Sequence, residues 1–250
     1  MSATDGPRGA IEVGRVIQDT FGVIGRNFVP FFIMSLLLTG LPTAVFGFLN
    51  PTAGDPGASA ESGFLTLLGV LVSMVTGSVL QGALVHGTIM DMNERRAALS
   101  VSLAVGLRAF LPLIAIGLLL GVALALGFLL LIVPGIIMAV AWSVVVPAYI
   151  GERTGIFEAF TRSRQLTRGN RWRIFGLAIL YIVAVLILLM VMAVFYGFLG
   201  DNAFFDNVIL TPLITSLYGM LGAAGAAVLY VHLRRAKEGM GPETLAAIFD

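Results

Sequence analysis

The chain has 250 residues, 58% of them hydrophobic and 12% charged, about half the charged fraction of an ordinary soluble domain, so a soluble surface cannot be built from it. A net charge of +1 carried by scattered basic residues excludes the concentrated basic face that nucleic acid requires. The absence of cysteine excludes disulfides, thiolate catalysis and cysteine metal sites.

At the N-terminus the first long apolar block begins near Phe28, behind a charged stretch too long for the n-region of a cleaved signal, so the mature protein is expected to keep its N-terminus. Asp5, Glu12 and Asp19 alternate with Arg8, Arg15 and Arg26, unlike an acid-poor organellar presequence. From Val13 to Asn27 the periodicity predicts an amphipathic helix. Val13, Val16, Ile17, Thr20, Phe21, Val23 and Ile24 share one arc, while Glu12, Arg15, Gln18, Asp19 and Arg26 share the other. Gly14, Gly22 and Gly25 each lower its helicity by about 1 kcal/mol relative to Ala, so membrane or protein contact must hold it.

Six bilayer-length spans follow, near Val29 to Phe48, Phe64 to Met90, Phe110 to Val133, Gly135 to Ile150, Ile174 to Phe198 and Val208 to His232, with no Asp, Glu, Lys or Arg inside any of them. All 15 basic residues then fall on one side, and the other side holds Asp55, Glu61, Asp201 and Asp206. Because Lys and Arg near span ends are retained in the cytoplasm, both termini are placed there. The expected fold is all-α and integral to the membrane, six transmembrane helices forming one domain. Its parts are a cytoplasmic segment 1–28, hairpins at 29–90, 110–150 and 174–232, surface segments at 91–109 and 151–173, and a tail 233–250.

Each hairpin is preceded by a surface helix. Ile156 to Arg168 repeats the first pattern, with Ile156, Ala159, Phe160, Ser163 and Leu166 opposite Glu158, Arg162, Gln165 and Arg168; Leu99 to Leu107 is a weaker version. The junction Arg26-Asn27-Phe28-Val29-Pro30 matches Arg108-Ala109-Phe110-Leu111-Pro112, and Arg171-Trp172-Arg173-Ile174-Phe175 is a looser copy. Three repeated units explain this; basic amphipathic flanks common to any polytopic protein are the alternative. Both prolines suit the first turn of a helix. Between the third and fourth spans, Pro134-Gly135 is either a hairpin tip or a kink, and the hairpin is favoured because Arg108 and Arg153 must share a side.

Intramembrane ionisable groups are functional candidates, and within the spans His86 stands out. With Gln81, Ser73, Ser78 and Thr88 it makes the second span the most polar. No second histidine or acid accompanies it at ligand spacing, so no metal or cofactor is expected, and a histidine hydrogen-bonded between packed helices is the simpler reading. His232 reads as interfacial. Gly117 and Gly121, and Gly219, Ala223 and Ala227, place small residues one turn apart where backbones can approach. Trp142, Tyr149, Trp172, Tyr181, Tyr196, Tyr218 and Tyr230 include interface anchors. No Walker loop, Gly-x-Ser-x-Gly elbow, His-Glu-x-x-His helix or paired carboxylates occur, so no enzyme is expected.

The stretch after Pro134-Gly135 reads Trp142-Ser-Val-Val-Val-Pro147-Ala-Tyr-Ile-Gly-Glu152, then Glu158-Ala159-Phe160-Thr-Arg162-Ser163, then Leu166-Thr-Arg-Gly169-Asn-Arg-Trp172-Arg-Ile-Phe175. It resembles the signature of the bacterial glycerophosphoryl diester phosphodiesterase membrane-domain family; the first, second and sixth spans match only in pattern. The resemblance implies a six-span fold and marks Pro147, Glu152, Arg162, Ser163 and Gly169. It does not imply phosphodiesterase activity, because the barrel that some members carry needs about 250 residues of its own and its metal-binding acids have no counterpart here.

A Glu152–Arg162 pair is expected to lock the surface helix on the bundle. Arg162, Arg164, Arg168, Arg171 and Arg173 are candidates to hold anionic headgroups, each worth about 1 kcal/mol near the surface. The expected function is a non-enzymatic lipid-interacting scaffold or sensor, or the membrane subunit of an assembly. Its partners would be membrane lipids, anionic ones among them, and another protein or a second copy. The alternative is a transporter or flippase of a small amphiphile, with Gln81 and His86 lining its path, and a polar cavity reaching His86 would separate the two.

Overall fold

The computed structural model describes residues 10–50, 59–95, 98–199 and 203–239, the side chains of residues 195–199 and 203 excepted. Arg8, Asp55, Arg96, Asp201, the side chain of Tyr196, most of the Asn50 to Gly63 loop and the tail beyond residue 239 lie outside that set. Among the described residues there is no strand, and six helical stretches are long and apolar enough to cross a bilayer. The fold is an all-α membrane protein.

Helix α1 (Val13–Arg26) buries Val16, Thr20, Val23 and Ile24 against the bundle. Its apolar stripe therefore meets protein, and only part of it, Phe21 included, faces outward. Asn27 ends it by donating its side-chain amide to the Val23 carbonyl and to Asp91. The first span, α2 (Phe28–Leu49), contains a π-turn at Leu36–Gly40, where Gly40 lies against Ser216 and Pro212 of the last helix.

Helices α3 (Ala60–Met92) and α4 (Leu99–Leu130) pack most closely where Gly82 and Gly106 let their backbones touch: a Cβ on Gly106 would stand 2.2 Å from the Val79 carbonyl oxygen. Gly117, Gly121 and Gly219, expected at close crossings, have open space beside them instead, whereas Ala223 and Ala227 are buried. A small-residue stripe marks a smooth face, but the rotation of the whole helix decides whether that face meets a neighbour.

The expected surface helix from Leu99 to Leu107 is the start of α4, which runs unbroken into the third span, so Pro112 lies inside a helix and not in its first turn. The carbonyl that Pro112 leaves without its helical donor belongs to Arg108, an exposed residue where water can replace the bond. The chain then reverses at Leu131, a single extended residue between α4 and α5 (Ile132–Ala141). The reversal is a hairpin, three residues earlier than Pro134-Gly135. Pro134 occupies the first turn of α5, where it removes one of the donors a helix start cannot satisfy, and Gly135 donates back to Leu131. Gly127 and Gly135 touch through their backbones, which closes the hairpin.

Helix α5 is separated from α6 (Val145–Glu152) by a turn at 142–144, and α7 (Ile156–Thr167) folds back along α6. Helix α8 (Arg171–Leu199) packs loosely, with most of its apolar side chains facing outward. A π-turn at Asp206–Leu210 leads into α9 (Thr211–Glu238). Its central residues Met220, Ala224, Val228 and Leu233 form the main core with α1, α2 and α3. A second core joins Val85, Leu113, Ile116, Val145 and Ala227. At one end of the bundle Arg26 pairs with Asp91, Arg235 donates to the Met92 carbonyl and Arg173 donates to the Ile11 carbonyl. The arginine-bearing ends thus converge. At the opposite end, Asn50 and Ser62 exchange hydrogen bonds and tie α2 to α3.

Candidate functional site

The sharpest polar arrangement is built by the α6–α7 corner. Arg153 adopts a left-handed conformation that stops α6, and the Gly155 N–H donates to Glu158 to start α7. At the turn before α6, the Val145 N–H bonds to Trp142 instead of Ala141. The Ala141 carbonyl left over accepts from the Ser163 hydroxyl at 2.9 Å, while the Thr167 hydroxyl, 3.3 Å from it, has a nearer acceptor in the Ser163 carbonyl at 3.0 Å. A side chain of α7 therefore completes the broken ladder of the fourth span. Trp142 packs edge-on to Phe160, ring centres 5.3 Å apart, over the same joint.

Glu152, at the end of α6, accepts from Arg162 Nε at 2.9 and 2.8 Å and from the Tyr230 hydroxyl at 3.0 Å. Arg162 also pairs with Glu238, which pairs with Arg234 one turn before it. Gly151 makes room for the Tyr230 ring, since a Cβ there would stand 2.9 Å from its hydroxyl. Burial works to lower the Arg162 pKa, but the Glu152 and Glu238 carboxylates outweigh it and hold the guanidinium above its ordinary value. The expected Glu152–Arg162 pair is thus present as part of a latch that clamps α6, α7 and α9 together. Sequence reasoning missed Glu238 and read Tyr230 only among the interface aromatics; the i,i+4 spacing of Arg234 and Glu238 was the one readable sign.

The five candidate headgroup arginines divide. Arg162 is held by the latch, Arg173 bonds the Ile11 carbonyl, and the buried Nε of Arg171 has no hydrogen-bond partner among the described residues. Arg164 and Arg168 are exposed and make no ion pair among the described residues. Between them and α8, Gly169 adopts φ +90°, which a side chain would oppose. Asn170 accepts from the Ile11 N–H at 3.1 Å, and Trp172 is 85% exposed beside Phe175. Pro147 is buried in α6.

The intramembrane pair does not assemble. His86 is half-buried, with Nδ1 3.2 Å from the Ser102 hydroxyl, whereas Gln81 is exposed on another face of α3. Five residues separate them, so they point well apart around the helix. Among the described residues no three His, Asp or Glu converge as a metal site. His232, expected as decoration, binds Asp19 of α1 at 2.7 Å.

Two openings flank this frame. One is an apolar groove of about 450 Å³ between α8 and α9, roofed by Val16, Thr20 and Phe21 of α1 and reaching Ser143 at the turn in the fourth span. The other is a polar crevice between α2 and α4 at the arginine-bearing end.

Among curated proteins the chain is similar to one described as a UPF0259 membrane protein, from Pectobacterium carotovorum subsp. carotovorum (strain PC1). The two are 23% identical over 210 residues, 70% of this chain and 84% of the relative. No family model and no solved structure matches. The chain is therefore an integral membrane protein of six bilayer-length helices, similar to a protein of the UPF0259 description.

Proposed function

We propose that this protein is a non-enzymatic component of a bacterial inner membrane, both termini cytoplasmic, that binds membrane lipid as a sensor or scaffold. The observation that carries this reading is the groove between α8 and α9, whose lining is apolar apart from Thr20, Ser143 and Tyr181 and lies beside a helix with an outward apolar surface. Within a bilayer an acyl chain gains little hydrophobic free energy by leaving lipid for protein. Selection must then come from the headgroup, and the guanidiniums of Arg164 and Arg168 near the start of α8, exposed and without an ion pair among the described residues, supply attraction of about 1 kcal/mol each. The resemblance to the phosphodiesterase membrane domains supports a membrane role without the hydrolytic one.

The test is native mass spectrometry of the detergent-purified protein loaded with mixed bacterial phospholipids. Ala226→Phe, which fills the groove, and Arg164→Gln with Arg168→Gln should each lower the number of retained lipids. Wild-type retention in both folded variants would refute the reading. A second reading, an amphiphile flippase, draws on the interrupted fourth span and the two π-turns, since broken helices accompany transport. Lipid scrambling in proteoliposomes tests it directly.

A further inference from the structure

The crevice at the arginine-bearing end is formed because α2 and α4 both lean on α3 and leave a gap between them. Its inner part, about 450 Å³, has Arg26, Asn27, Asp91 and Arg95 at the mouth and Phe31 and Leu99 among its apolar walls. An outer part of about 440 Å³ shares Arg26, Asp91 and Arg95 and adds Asp19, Glu94 and Arg235. The carboxylates differ in what they have left to offer. Asp91 is spent on Arg26 at 2.6 Å and Asn27 at 2.8 Å, and Asp19 is taken by His232. Glu94 makes no ion pair among the described residues, and neither does Arg95. Arg26 uses one nitrogen on Asp91 and keeps further donors. Arg235 spends one nitrogen on the Met92 carbonyl. The inner part thus joins apolar walls to arginine donors, and the outer part adds Glu94, a carboxylate without an ion pair among the described residues, beside Arg235.

Apolar walls, arginine donors and a carboxylate without an ion pair among the described residues match the groups of a zwitterionic phospholipid: acyl chain, phosphodiester, ammonium. We infer that the α2–α3–α4 crevice binds the headgroup of phosphatidylethanolamine, its phosphate against Arg26 and Arg95 and its ammonium toward Glu94. The arginines bind phosphate oxygens by charge-assisted hydrogen bonds, and Glu94 discriminates against headgroups that end in hydroxyls. The site shares no residue with the α8–α9 groove, so either can fail alone.

The experiment uses the full chain carrying Ala226→Phe, so that groove lipid does not contribute, in micelles with equal phosphatidylethanolamine and phosphatidylglycerol, read by native mass spectrometry. The crevice should retain phosphatidylethanolamine preferentially. Arg95→Gln should weaken retention of both lipids by about fivefold, the worth of one interfacial charge. Glu94→Gln should keep total retention and lose the preference. Both residues are exposed and outside any ion pair among the described residues, so neither change threatens folding, which the unfolding midpoint will verify. Equal retention of the two lipids before mutation, an Arg95→Gln variant with undiminished retention, or an unchanged preference in Glu94→Gln would overturn the assignment. So would displacement of the lipid by millimolar inorganic phosphate, which would make this a free-phosphate site.

Discussion

Replacing Arg162 by Met removes the guanidinium at the centre of the latch while keeping a side chain of similar length. Arg162 and Glu152 have side chains only 26% and 16% exposed, so their bond is shielded, and a hydrogen bond between charged groups there is worth about 1.5–3 kcal/mol. The second arm, to Glu238, is 42% exposed; after discounting for solvent it adds about 0.2–1 kcal/mol. Glu152 would keep only the Tyr230 hydroxyl, and the total loss should be about 2–4 kcal/mol, lowering the thermal midpoint by roughly 4–16 °C. Glu152→Gln removes the charge but can still accept from Tyr230, and should cost less, about 1–2 kcal/mol. The double variant should cost little more than Arg162→Met alone, because the second change removes the partner left stranded by the first. Thermal unfolding in detergent, followed by circular dichroism, supplies the cycle, and its coupling energy should be about 1–2 kcal/mol. A coupling below about 0.5 kcal/mol would mean that the pair is not a clamp. So would its disappearance at high salt, the behaviour of exposed pairs.

Gly106→Ala should drive α3 and α4 apart, because its Cβ would stand 2.2 Å from Val79 oxygen where ordinary contacts begin at 3.4 Å; overpacking of this kind costs about 1–3 kcal/mol. Gly117→Ala, with nothing within 4 Å, should leave stability unchanged or raise it by up to about 1 kcal/mol through helix propensity, and the opposite ranking would mean that α4 is rotated otherwise. Ser163→Ala strips the 2.9 Å bond from the Ala141 carbonyl, which Thr167 covers only at 3.3 Å. Stability should fall by about 1 kcal/mol, with faster hydrogen exchange from Trp142 to Val145. Unaltered exchange there would show that α7 does not support the joint.

The spans were legible because bilayer length is written as uninterrupted apolar residues, a property of each segment alone. The gathering of the arginines at one end was legible for a similar reason: no Lys or Arg interrupts a long apolar run, so each basic cluster falls where a run stops, and with successive runs crossing in alternate directions the clusters share one side. The amphipathic stripes of α1 and α7 were also readable, and Val16, Val23, Ala159 and Ser163 are buried on them. What lies against those stripes was not. For α1 it is protein, at least for Val16, Thr20, Val23 and Ile24.

Tertiary structure alone decided how the helices are rotated about their axes and which distant residues meet. Rotation turned Gly106 inward and Gly117 outward, though both are small residues in the same helix. Pairing across 76 and 78 residues of chain brought Glu238 to Arg162 and Tyr230 to Glu152, and so removed Arg162 from the arginines free to meet lipid. Periodicity reports which side of a helix is apolar, and charge reports which end is wet. Neither contains the distances between helices, and it is those distances that separate an arginine spent on the fold from one left for a ligand.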